Sequence, residues 1–393
     1  MSKQLAFING ETLNAIRVRK RTSEAYLEHK VGLPEGRISL WESCPGDDYP
    51  TMRQAEKIAK VLGIPLAGLY LEPQNLPDMP LPATVNMRCL DGAEAIDDSA
   101  VNLAVSRLCG LRRHLIELCE ALGESPTRID LPVLERDPIA AADQLRCVLD
   151  LSVEEQKRLT STRKLFKQIR SRLEARGIIL AEFTGVPVEQ CRGLALYFEE
   201  FSVAGVNKED HYPAKSFSAI HEVGHLANRI STLCNQMIDI RTSSQEEVYC
   251  NSLAGNFLVP EQTFKKDVAG LHDLSSMERI ASLADDYCVS KEVIARRLRD
   301  LGYLDSFMYK SVVEELKKQV IEEKLERQLE REEGRGQRAF MPQELAVVDA
   351  HGALYIDAVR RSVDSGYITE FDASGLLGLA PERLEKAFME ALQ

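Results

Sequence analysis

The chain has 393 residues, 44% of them hydrophobic and 28% charged, with a formal net charge of −12. That length sets an expectation of two to three domains, and no run approaches the roughly 18 apolar residues of a membrane span. The acidic balance opposes nonspecific adhesion to nucleic acid, so any DNA contact must be local.

The opening residues, MSKQLAFING, lack an apolar signal core and a small-residue cleavage site, so a cytoplasmic protein is expected. Nine cysteines, odd in number and never spaced Cys-x-x-Cys, argue against a disulfide framework and against a cysteine-ligated zinc site. The predicted fold class is α+β and mostly helical.

Residues 1–72 read as short helices, with apolar positions recurring at three and four residues in AYLEHKV, RISLWES and MRQAEKIAKVLGIPLAGLYL. A proline-rich stretch at 73–87 cannot continue a helix and reads as a linker. A helical connecting region is expected over 88–164. The run VEEQKRLTSTRKLFKQIRSRLEARG (153–177) reads as helix up to Gly177. Two candidate strands follow, IILAEF (178–183) and LALYFEEFSVAGV (194–206), the second with the length of a hairpin.

Directly after them comes SFSAIHEVGHLANRIS (216–231). His221 and His225 are four residues apart, so a helix presents both imidazoles on one face and could offer them to one Zn²⁺. Glu222, beside them, is placed to act as general base toward a water made acidic by such an ion. The competing view is an ordinary amphipathic helix with these polar residues on its outer face. Its apolar stripe, Ala219, Ile220, Val223, Leu226, Ala227 and Ile230, fits both. A third protein ligand decides between them, and Glu247 in SSQEEVYCNSLAGNFLVP (243–260) is the candidate. Ser244-x-x-Glu247 also fits a capping box, as does Ser243-x-x-Glu246, so spacing alone leaves the role of Glu247 open.

KSFSAIHEVGH followed by EEVYCNSLAGNFLVP resembles the ImmA/IrrE family of metallopeptidases, over roughly 165–304. The resemblance implies a zinc-dependent peptidase in which His221, His225 and Glu247 are the ligands and Glu222 the general base. Asn251 falls on the family asparagine, and Cys250 stands where alanine is usual. On this reading the 194–206 segment supplies a sheet edge to which a substrate could pair as an added strand. His211 and Tyr212 are candidate oxyanion donors, though each is more often a surface loop residue. Family resemblance also implies a role in cleaving or controlling repressors or antitoxins.

GLPEGRISLWESCPGDDYPTMRQAEKIAKVLGIPLAGLYLEP (32–73) resembles the Cro/cI-like helix-turn-helix family, with SEAYLEHKV as second helix and PEGRISLWE as recognition helix. The resemblance implies DNA contacts, for which Arg17, Arg19, Arg37 and Ser39 are the candidates. Glu24, Glu28 and Glu35 stand where polar or small residues are usual, and residues 1–75 hold 10 Lys+Arg against 9 Asp+Glu. A helix-turn-helix used only for protein contacts is the alternative.

Beyond Pro260, the helical segment 280–304 carries Arg296, Arg297 and Arg299, expected on a solvated face. The highly charged run 311–333 is expected to be a solvated helix, broken by GRGQR (334–338), and a helical region (305–393) closes the chain. The leading expectation is a zinc metallo-endopeptidase behind a helix-turn-helix domain, with a protein substrate and no membrane contact. The other is a DNA-binding transcriptional regulator or antitoxin whose zincin-like domain is a sensor.

Overall fold

A computed structural model describes residues 4–43, 48–76, 98–234, 245–332 and 341–392. Most of the 73–87 linker, the two serines of the capping boxes and the GRGQR break lie outside these residues. None of the described helices is long and apolar enough to cross a membrane. The architecture is α+β and mostly helical, as expected.

The amino-terminal helices are α1 (Gly10–Arg19), α2 (Glu24–Val31), α3 (Arg37–Glu42) and α4 (Met52–Leu62). Each of α1, α2 and α4 starts at a side-chain cap, Asn9, Ser23 and Thr51, which accepts one of the unpaired first-turn amides. Gly32 ends α2 with φ +79°, a conformation that disfavours any residue with a Cβ. Leu13, Leu27, Ile38, Trp41, Ile58 and Leu62 fill a core of their own between these helices. The recognition helix expected over 34–42 is shorter in the structure. Gly36 takes positive φ (+76°) and the helix begins at Arg37, so Pro34–Gly36 form a turn.

Next come α5 (Ser99–Ala121), α6 (Pro138–Val148), α7 (Val153–Arg158) and α8 (Thr162–Glu174). The single helix expected over 153–177 is two: Leu159 is extended and Ser161 caps α8 anew through Lys164 N, so the chain turns between them. A four-stranded sheet follows, from β1 (Ile178–Phe183), β2 (Gly193–Leu196), β3 (Ser202–Asn207) and β4 (Thr232–Cys234), in the order β1-β3-β2-β4. β1 and β3 are parallel; β2 pairs antiparallel with both β3 and β4. The hairpin expected at 194–206 is therefore β2–β3, but it does not form the sheet edge. That place is taken by β4, too short at three residues to leave a periodic pattern.

Between β3 and β4 runs α9 (Tyr212–Ala227), and after β4 come α10 (Gln245–Leu258), α11 (Glu261–Val268), α12 (Met277–Tyr287), α13 (Lys291–Asp300) and α14 (Ser306–Glu332). The chain closes with α15 (Gln343–His351), α16 (Ala353–Asp364), α17 (Glu370–Leu377) and α18 (Leu384–Ala391). Alternation along the strands divides the sheet between two cores. Ile178, Leu180, Ala195 and Val206 face α9 and α10, while Ile179, Ala181, Leu194 and Val203 face α5, α16 and α18. The carboxy-terminal helices thus build the back layer of the sheet. Arg297 is buried at 5% exposure and Arg299 pairs with Asp300 at 2.5 Å, so the arginines at 296–299 share no solvated basic patch.

Candidate metal centre

α9 has no outer face. From Lys215 to Ala227 every residue is buried, with β2 and β3 on one side and α8 and α10 on others. His221, Glu222 and His225 are 3%, 1% and 0% exposed. A helix apolar on most sides that keeps three titratable groups in its interior is not the amphipathic surface helix of the competing view.

The two imidazoles meet Glu247 of α10. His221 Nε2 lies 3.3 Å from Glu247 Oε2, His225 Nε2 lies 3.3 Å from Glu247 Oε1, and the two Nε2 atoms are 3.2 Å apart. Ligand atoms of these three residues all lie within 4.8 Å of one another, the group among the described residues able to hold a metal ion. Two imidazole nitrogens directed at each other and at one carboxylate form a donor set that a cation satisfies. The spacing fits as well: at bonds of about 2.0–2.1 Å, neighbouring corners of a tetrahedron are about 3.3–3.4 Å apart.

Surrounding groups fix this arrangement. Asn251, one turn after Glu247 on α10, places Oδ1 at 3.1 Å from His221 Nδ1. A carbonyl oxygen only accepts, so Nδ1 is the donor in this pair and Nε2 is the nitrogen turned to Glu247. Glu246 Oε1 lies 3.6 Å from His225 Nδ1. Burial works to raise the Glu247 carboxyl, but hydrogen bonds and charge from His221 and His225 outweigh it and hold the group well below the usual carboxylate range.

Glu222 turns the other way, toward the sheet. Its carboxylate lies so close to Gly193 of β2 that a Cβ there would overlap Oε1 and come within 3.1 Å of Cδ. Two buried thiols flank this region. Burial, then the charge of Glu222, raises Cys191; burial, then Glu247, Glu222 and Glu246, raises Cys250 well above the ordinary thiol value.

Residues 168–299 match the family model Peptidase M78, the IrrE N-terminal-like domain. No curated protein and no solved structure gives a significant match. The IrrE-like segment starts in α8 and ends in α13, so it contains the sheet, α9 with His221, Glu222 and His225, and α10 with Glu247. This part of the chain is therefore similar to a metallopeptidase-type domain.

The remaining candidates sit elsewhere. The Tyr212 hydroxyl donates to Asp349 Oδ2 at 3.0 Å and accepts from Arg163 Nε at 3.1 Å. It opens α9, nine residues before His221, about 13 Å along the axis, so it supplies no oxyanion donor. His211 is exposed at the helix cap. Arg17 is drawn inward: its guanidinium donates to both Glu42 oxygens at 2.6 and 2.7 Å, to Thr22 O and to Glu24. Arg37 pairs with Asp48 at 2.7 Å and lies over the Trp41 ring. Arg19 and Ser39 are exposed. Gly193 was missed by sequence reasoning, because nothing in the chain before β2 shows that a carboxylate from α9 fills its place.

Proposed function

We propose that the chain is a zinc-dependent metallo-endopeptidase. The observation that carries this reading is the meeting of His221, His225 and Glu247 at 3.2–3.3 Å on the packed helices α9 and α10, with Glu222 buried next to His221 in the chain. When bound there, a zinc ion supplies a Lewis acid for the scissile carbonyl and lowers the pKa of water.

The protein's own groups do the rest. Glu222 takes a proton from the attacking water and delivers it to the leaving amine, so no acyl-enzyme is formed. Asn251 orients His221 through Nδ1, so that Nε2 is the nitrogen that would coordinate. Among the described residues β4 is an edge strand, and an extended peptide could pair with its backbone, which favours an endopeptidase.

The amino-terminal helices carry the sequence resemblance to a helix-turn-helix, and they support docking on DNA or on a related regulator. The substrate on this reading is a repressor or antitoxin protein. With Arg17 engaged by Glu42, DNA contacts would rest on Arg19 and Ser39.

Metal analysis of purified protein beside its His221→Ala and Glu222→Gln variants tests the proposal. One zinc per chain is expected, lost in His221→Ala and kept in Glu222→Gln, with peptide cleavage abolished in both. Zinc-free wild-type protein, or cleavage that survives Glu222→Gln, overturns it and leaves the sensor-type regulator.

A further inference from the structure

The turn that closes α9 carries a cation. Arg229 lies there with φ +62°, the left-handed conformation that glycine usually supplies at a helix end. Two hydrogen bonds lock the turn: Arg229 N donates to Leu226 O at 3.0 Å, and Ile230 N donates to His225 O at 3.0 Å. The arginine is thus fixed to the same turn of chain as His225, at a conformational cost that a glycine would avoid. Its side chain is exposed, and the guanidinium stands 5.3 Å from the centre of the Tyr197 ring. Among the described residues no carboxylate forms an ion pair with it.

β2 relates this cation to the candidate metal centre. Residues alternate across the sheet, so Gly193, Ala195 and Tyr197 fall on one face, the face toward α9. Gly193 lies against the Glu222 carboxylate, Ala195 belongs to the core shared with α9, and Tyr197 packs on that core beneath Arg229. The neighbouring strand keeps step: Cys234 pairs with Gly193 and Thr232 with Ala195, and Tyr197 N donates to Ser231 Oγ at 2.9 Å. From Gly193 to Tyr197 an extended chain spans about 13 Å. A peptide laid along β4 with one residue level with Glu222 therefore comes level with Arg229 about four residues farther on.

We propose that Arg229, held over Tyr197, is a specificity-determining residue that selects an acidic side chain in the peptide about four residues from the scissile bond. The inference rests on the peptidase reading and names the substrate class within it. A guanidinium offers a carboxylate two parallel N–H donors, and its planar fork loses little freedom on pairing. The locked turn and the ring of Tyr197 place the charge before the peptide arrives. In a chain of net charge −12 an acidic peptide is repelled on average, so a local cation beside the cleft decides whether one docks.

A randomised synthetic peptide library tests the proposal in two ways: products cleaved by the zinc-loaded full chain are sequenced by mass spectrometry, and intact peptides are captured on immobilised Glu222→Gln protein. Asp or Glu is expected to be enriched about twofold to fivefold, the range of an exposed ion pair, about four residues from the cleaved bond. The acid lies on whichever side the direction of the peptide along β4 dictates. The enrichment disappears in Arg229→Gln and turns into a preference for Lys or Arg in Arg229→Glu, a reversal that misfolding cannot produce. Cleavage without an acidic preference, or with one that survives Arg229→Gln, overturns the subsite and leaves the peptidase reading standing. Acid-selective capture that requires Arg229, without cleavage by the wild type, upholds the subsite and overturns the peptidase reading. Neither cleavage nor acid-selective capture overturns both.

Discussion

The carboxylate of Glu222 occupies the space that a side chain at residue 193 would need. β2 could accommodate alanine at this position as far as backbone is concerned, so the glycine answers to its neighbour across the layer. Gly193→Ala is expected to displace Glu222 while leaving His221, His225 and Glu247 in place. Peptide cleavage should fall by about 10²-fold, the usual effect of an ångström-scale misplacement of a catalytic group. Zinc stoichiometry should stay unchanged. Activity assays with metal analysis on the same sample check this, and a variant that keeps full activity would show that Glu222 tolerates the shift.

The second expectation concerns Asn251. Its Oδ1 accepts from His221 Nδ1 at 3.1 Å, and loss of such a partner typically costs 10–100-fold in metal affinity. Asn251→Ala should therefore lose zinc to a competing chelator at concentrations 10–100-fold below those needed for the wild type. Asn251→Asp retains an acceptor and should lie close to the wild type. Equal chelator sensitivity in Asn251→Ala would remove the orienting role.

How much of this site could be read from the sequence depended on distance along the chain. The helical spacing of His221 and His225 is local and survives in α9 unchanged. Glu247 lies beyond β4 and a segment outside the described residues, and its role was undecidable from spacing because two overlapping capping boxes were available. Tertiary packing of α10 on α9 brings it to the imidazoles. Burial of α9 on all sides was equally hidden, since its apolar stripe is also what an amphipathic helix shows. Arg17 was misleading for a related reason: a basic residue at the end of α1 reads as exposed until Glu42, 25 positions later, comes to within 2.6 Å.

Stability should depend on pH through a buried cluster where α8 meets the α15–α16 corner. Burial pushes Glu174 from its ordinary 4.5 up to about 7, against the lowering influence of Arg170 and the Leu354 amide. A carboxyl raised in the folded state contributes stability that is full below pH 4.5 and is lost as pH rises through about 7. His351 runs the opposite way: burial, then Arg170 and Lys208, push it down to about 4, so its contribution is lost as pH falls from its ordinary 6.5 toward that value. The two slopes offset each other where they overlap. Glu174→Gln keeps an acceptor for Leu354 N and removes one slope. Its unfolding free energy should then rise with pH between about 4 and 6.5, by on the order of 2–3 kcal/mol, in urea titrations at stepped pH. A flat profile in this variant would refute the assignment.

Asp349 ties the carboxy-terminal layer to α9, the helix that carries His221 and His225. It accepts from Arg163 Nη2 at 2.9 and 3.0 Å and from the Tyr212 hydroxyl at 3.0 Å, and it is buried. Asp349→Ala leaves a guanidinium and a phenol without their acceptor at the start of α9. A loss of about 2–3 kcal/mol is expected, less than for a fully buried pair because Arg163 is partly exposed. Chemical denaturation measures it, with Asp349→Asn expected to recover part of the loss.

The last expectation isolates helix spacing as a determinant of metal affinity. A Cβ at Gly224 of α9 would lie 2.9 Å from Cys250 Sγ and 3.0 Å from Leu253 Cδ2, both on α10. Neither residue is a ligand, yet the gap they set governs how far Glu247 stands from His221 and His225. Gly224→Ala should therefore push α10 outward and weaken zinc binding, although every ligand remains. Cys250→Ala removes the sulfur that meets the new methyl, so the double variant should regain a large part of the lost affinity, the remainder being due to Leu253. Such coupling between neighbours appears as non-additivity in a double-mutant cycle of zinc affinities. Strictly additive losses would mean that the distance between α9 and α10 does not control the donor triangle.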